Sequence, residues 1–152
     1  MNAFRCLSAI GIIVSLSVGC SESFSAPTSP SEVAATPPVA LTADQLTGTW
    51  NLVSLQPTGQ GVQMKPLGSD YTLSFANGRL STRADCNSCG AAFTLSGQTL
   101  TAGPALACTR AACPTMAFES VYTSLLSGES TVTVSARALV LASDRGLLRF
   151  AQ

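Results

Sequence analysis

Beyond residue 48, apolar residues recur at every second position through most of the chain. Tyr71, Leu73 and Phe75 alternate with Thr72, Ser74 and Ala76 and run straight into Asn77-Gly78. That pattern predicts a half-buried strand followed by a tight hairpin turn. The return strand opens at Arg79 and Leu80, and a second hairpin follows, with Phe93 and Leu95 before a turn near Gly97-Gln98 and Leu100 after it. Val132 and Val134, then Leu139 and Leu141, then Leu148 and Phe150 mark three more short strands, and Asp144-Arg145-Gly146 between the last two reads as a plain turn. Thr49 to Leu55, with Trp50 and Leu52, supplies the first strand. The sum is about eight short strands in an antiparallel meander.

One segment changes period. Phe118, Val121, Tyr122 and Leu125 fall at i, i+3, i+4 and i+7 within Met116 to Leu126, which predicts a helix. Pro114 or Thr115 stands at its start and Gly128 just past its end, the expected asymmetry of helix termini. The helix is expected to plug or cover one face of the curved sheet, with its aromatic residues in the core and not on a cofactor. The fold class expected is mainly β (α+β): a small antiparallel curved sheet or partly open barrel with one helix.

The first residues obey neither period. Arg5 precedes an apolar-rich run from Leu7 to Val18 that ends in small residues, so residues 1–19 read as a secretory signal peptide. The run is shorter than the roughly 20 residues a membrane-spanning helix requires. Leu16-Ser17-Val18-Gly19-Cys20 resembles a bacterial lipobox, with Leu one place further from the cysteine than usual. Cys20 is therefore the expected lipidation site, and its acyl chains would anchor the protein at about 0.8 kcal/mol per buried methylene. Ser21 resembles an outer-membrane sorting residue. Residues 20–43 are rich in Ser, Ala, Thr and Pro, too poor in large apolar groups to offset their ordering entropy. They read as a tether of roughly 25 Å as a coil and at most about 70 Å extended. Residues 44–152 then form one domain. The expected location is the cell envelope, lipid-anchored and facing the periplasm, at the outer membrane rather than the inner.

Charge narrows the partners. The chain of 152 residues carries 8 basic and 8 acidic side chains, with no run of either sign, which argues against nucleic acid. Charged residues are only 11% of the chain, so Ser and Thr must carry the solvent-facing strand positions.

Cys86-x-x-Cys89 and Cys108-x4-Cys113 flank a hairpin-like stretch, so closing them would pin that hairpin to the start of the helix. Three chemistries suit two close pairs: disulfides, a four-thiolate zinc site, or a redox-active dithiol at Cys86/Cys89. Export favours disulfides and therefore no metal. A reactive thiolate also needs a helix start or a neighbouring cation, and only Arg83 is near in sequence. Four cysteines allow three pairings, and spacing does not choose among them. Asp85 and Asn87 beside Cys86 are expected to shape a turn through side-chain to backbone bonds. Arg110 is expected to be solvated or loosely paired.

The chain has no histidine, which excludes Ser-His-Asp and Cys-His catalysis and His-ligated metals. Lys65 is the only lysine, no serine stands at a recognisable elbow, and the few acids have no informative spacing. No catalytic residue, cofactor or enzymatic activity is expected.

Several pieces of sequence carry a family resemblance: Gly48-Thr49-Trp50-Asn51-Leu52, Tyr71 to Phe75 with Asn77 to Ser81, Asp85-Cys86-Asn87, Gly97 to Leu100, Ala107 to Pro114, and Leu147 to Phe150. In this order they resemble the META-domain (HslJ-like) family, in a lipoprotein variant. The resemblance implies a lipocalin-like barrel with one helix, an envelope or stress-related role, and no transferable catalytic activity. It also implies that Cys86 pairs with Cys113, which leaves Cys89 and Cys108 as an additional pair. A binding surface would lie around Asn87 and Arg110.

The expected function is thus a non-enzymatic envelope domain that binds a protein or a hydrophobic ligand in envelope maintenance or stress tolerance. Two alternatives stand beside it: a secreted protease inhibitor that inserts its exposed tether, and a thiol oxidoreductase using Cys86/Cys89.

Overall fold

The period-two segments become strands that close on one another. The computed structural model describes residues 40–67 and 70–152; the signal peptide, Cys20 and nearly all of the tether lie outside the described residues. After a short 3-10 turn, Ala43–Leu46, come β1 (Thr49–Pro57), β2 (Tyr71–Ala76), β3 (Arg79–Ala84), β4 (Asn87–Ser96), β5 (Thr99–Ala102) and β6 (Ala107–Cys108). The helix α1 (Met116–Leu126) follows, then β7 (Gly128–Ser135), β8 (Ala138–Ser143) and β9 (Gly146–Ala151).

Eight strands form a closed antiparallel barrel in the order β1-β2-β3-β4-β5-β7-β8-β9, with β9 returning to β1. Two non-sequential pairings complete the ring. β1 meets β9 from Asn51↔Ala151 to Pro57↔Gly146, and β5 meets β7 from Thr99↔Thr131 to Ala102↔Gly128. Closure satisfies backbone groups that an open sheet would leave at an edge. β6 stands outside the ring as a two-residue flap on β4.

The turns follow their residues. Asn77 and Gly78 take φ of 50° and 70°, as the mirror-image turn between β2 and β3 requires. Gly146 is fixed by contact: a Cβ there would lie 2.3 Å from the Gln56 carbonyl oxygen, so only glycine lets β9 approach β1. In β1 the inward positions Trp50 and Leu52 are followed by Leu55, off the period by one. The register shift between Leu52 and Ser54 absorbs the extra residue, which leaves Val53 46% exposed and Leu55 fully buried.

An eight-stranded barrel is just wide enough to be filled by its own side chains. Trp50, Leu73, Leu80, Leu100, Leu139, Leu141, Leu148 and Phe150 fill this one, each no more than 2% exposed. The Trp50 indole N–H donates to the Leu46 carbonyl at 2.9 Å, which satisfies its polar atom in the core. α1 adds Tyr122, Leu125 and Leu126 to the same core. Its rings meet edge-on, Tyr122 to Tyr71 at 5.2 Å and Phe118 to Tyr71 at 5.0 Å. Arg145, in the stretch expected to be a plain turn, donates through its guanidinium to the Ser127 carbonyl at the end of α1, a favourable place for a cation.

Candidate functional site

Two disulfides fasten the segment between β5 and α1 to the barrel. Cys86, in the turn from β3 to β4, bonds Cys113 just before α1, and Cys89 on β4 bonds Cys108 directly opposite it on β6. Cys86 and Cys89 therefore sit in separate bridges and form no dithiol pair of their own, which removes the geometric basis of the oxidoreductase alternative. Among the described residues no group of three or more His, Cys, Asp or Glu could hold a metal ion.

Between the bridges stands Asn87, 3% exposed. Its Oδ1 accepts the Ala111 N–H at 2.8 Å and the Thr109 hydroxyl at 2.9 Å. Its Nδ2 lies 3.1 Å from the Ala111 carbonyl oxygen and 3.0 Å from each Glu119 carboxylate oxygen. Ala111 thus meets a side-chain amide where a neighbouring strand would offer a peptide. Thr109 extends the pattern: its N–H donates to the Ser88 carbonyl and its hydroxyl accepts the Ser88 N–H, both at 3.0 Å. A buried amide with every donor and acceptor engaged holds a segment in one conformation.

Asp85 takes φ of 57°, which a short polar side chain tolerates. Its Oδ2 accepts the N–H and the hydroxyl of Thr115, at 3.1 and 2.5 Å, and so fixes the start of α1. With the Thr115 proton committed to Asp85, the Tyr71 hydroxyl donates to Thr115 at 2.8 Å. Likewise Thr82 gives its proton to the Thr72 carbonyl at 2.5 Å, so the Tyr122 hydroxyl donates to Thr82 at 2.6 Å. Burial raises the Tyr122 phenol well above the ordinary 10.0, and raises Tyr71 as well, with the charges of Asp85 and Glu119 adding to the effect there.

Outside this clamp runs an open groove of about 500 Å³. One wall is the segment 106–112, and the other is Met116, Glu119, Ser120 and Thr123 of α1. Those four fall at i, i+3, i+4 and i+7, a second helical stripe beside the buried one. Met116 is 56% exposed, and Arg110 stands exposed along the other wall, with no ion-pair partner among the described residues.

A model of the META domain matches residues 43–152. The chain belongs to the META-domain family. Two solved structures are similar to it. One, an NMR structure of a protein from Burkholderia xenovorans, has 22% identity and a TM-score of 0.60, covering 83% of this chain and 97% of its own. The other, also an NMR structure, has 24% identity and a TM-score of 0.57, covering 73% of this chain and 94% of its own. At these identities the likeness shows the fold alone. No protein of curated function matches the chain.

In this META domain the two residues expected on a binding surface differ in exposure. Both line the groove, Arg110 exposed along its wall and Asn87 buried at its base. Asp85 and Asn87 do bond side chain to backbone, but to partners 24 to 30 residues away, not within a local turn. Sequence reasoning placed Thr115 and Met116 at the helix start but gave them no role at the site, and it missed Thr109 and Glu119. The i, i+3, i+4, i+7 spacing of Met116, Glu119, Ser120 and Thr123 was the available signal for the helical wall. Cys20 lies outside the described residues.

Proposed function

We propose that this META domain is a non-enzymatic envelope module, carried on a lipid anchor at Cys20, that binds a protein through the groove between the 106–112 segment and α1. The observation that carries the reading is that the groove is built rigid and left open. Two disulfides and Asn87 hold the wall that carries exposed Arg110, and exposed Met116 stands on the helical wall opposite. Exposed apolar and arginine side chains on a preorganised frame suit protein recognition, because little entropy remains to be lost on binding. The filled barrel supports a protein over a hydrophobic ligand, since Trp50, Phe150 and the leucines occupy the lumen a ligand would need.

The test uses the full chain expressed in its own host, with a photo-crosslinking residue in place of exposed Ala112 in the groove or exposed Arg137 on the far β7–β8 turn. Irradiated envelopes should give one discrete adduct from position 112 and none from 137. Deleting the gene should lower survival under envelope stress. No adduct from position 112, together with unchanged survival, would overturn the reading.

A further inference from the structure

The groove offers hydrogen bonds as well as side chains. In an antiparallel pair, successive residues turn their backbone groups alternately toward the partner strand and away from it. Thr109 bonds to the Ser88 backbone, and Ala111 bonds to the Asn87 side chain in the same sense. Cys108, opposite Cys89 in register, must then turn its N–H and C=O away from β4. Arg110, the next residue of the same parity, turns its own N–H and C=O the same way, and neither has a partner among the described residues. Cys108 and Arg110 both line the groove. β6 and the residues that continue it to Ala111 therefore have one satisfied edge and one open edge, and Cys108 and Arg110 of the open edge line the groove together with residues of α1.

The geometry points to strand addition as the mode of binding: the groove takes a single extended peptide segment of a partner protein. That segment lies along Cys108 and Arg110, exchanges main-chain hydrogen bonds with them, and places a carboxylate against the Arg110 guanidinium. This deepens the protein-binding reading above and rests on it. The occupant follows from three features. An exposed strand edge is completed by another extended backbone, which a lipid or small ligand lacks. Arg110 is exposed along the groove and makes no ion pair with a described residue, so its guanidinium is available to a peptide carboxylate. The helical wall, with Met116, Ser120 and Thr123, flanks this edge, so the groove suits one extended segment laid along it better than a broad sheet edge. Alternate side chains of the peptide would then face Met116 and the small residues Ala111 and Ala112.

The test uses the full chain in detergent as bait for a displayed library of random linear dodecapeptides. Selected peptides should carry an Asp or Glu at one recurrent position and bind at least tenfold more weakly to Arg110→Ala. The decisive probe is a scan of one selected peptide by single backbone N-methylation, which alters the peptide and leaves the protein's folding untouched. Methyl groups at alternate positions should reduce affinity tenfold or more while those between are tolerated, the period-two signature of a strand. A helix-wall substitution, Ser120→Trp, should abolish binding with the barrel still folded by circular dichroism. Failure to select any peptide, or a scan without period two, would overturn strand addition. If the position-112 envelope adduct persists in that case and is lost with Ser120→Trp, the groove remains a protein site of another kind. If the adduct is also absent and survival on deletion is unchanged, the functional reading fails with it.

Discussion

The lumen of the barrel and the segment from Ala107 to Thr115 are ordered by opposite means. In the lumen, order comes from apolar area: large side chains at alternate positions are removed from water and fill a space of fixed diameter. In the segment there is little apolar area. Two disulfides, a buried amide and a half-buried carboxylate hold it instead, Asn87 and Asp85 each reaching across to fix it. Burial is non-directional and tolerates neighbours of similar size. Directional bonds fix single atoms and so can hold an exposed wall in place without covering it. A domain that must present a stable open edge needs the second kind of order beside the first.

Substitutions can separate the two. Trp50→Ala strikes the lumen and should cost about 3 to 5 kcal/mol in denaturant unfolding. Hydrogen exchange should then accelerate in all barrel strands together. Replacing Cys86 and Cys113 by Ala, a bridge with a sequence separation of 27, should cost about 3 kcal/mol by the loop-closure argument. Here the amides of residues 107–115 should lose protection first; if the barrel strands lose it equally early, the clamp and the lumen are not separate units. Asn87→Ala leaves the Ala111 N–H and carbonyl without partners and should cost about 2 to 4 kcal/mol, with its exchange signature confined to the same segment.

Smaller effects sharpen the contrast. Tyr122→Phe removes one hydroxyl from the core, while Thr82 keeps its bond to the Thr72 carbonyl, so the loss should be about 1 kcal/mol at neutral pH. Its pH dependence has a definite sign. The folded phenol titrates above the unfolded value of 10.0, so its contribution is complete below that pH and is lost as pH rises through the folded value. Unfolding midpoints followed into alkali should therefore fall less steeply for Tyr122→Phe than for the native chain. Arg110→Ala should move stability by no more than about 0.5 kcal/mol, yet weaken capture at the groove. A large thermal shift instead would place Arg110 in the clamp and not on the binding wall.

Legibility in the sequence followed the same divide. The hairpin at Asn77-Gly78, the alternating strands and the helix from Met116 to Leu126 could be read because each expresses a local period or turn preference. β6 could not, since two residues carry no period and their pairing with β4 depends on a bridge closed through residues 19 positions apart. The shift at Val53 broke the alternation of β1 for a reason that lies in its register with β9. Arg145 read as part of a turn because its partner, the end of α1, is near only after folding.

By itself the sequence determined that this chain makes an antiparallel β domain with one helix, and its motif order resembled the family to which it belongs. Periodicity decides which face of a strand or helix leaves water, and turn residues decide where the chain reverses, so both are written locally. Tertiary structure alone decided that the sheet closes and that its lumen is filled. It also placed Asn87 at the buried base of the groove and Arg110 along its wall, and left the outer edge of the Ala107–Ala111 segment open. Each of these depends on which distant atoms meet, and that is fixed only when packing and hydrogen bonding across the whole barrel are satisfied at once.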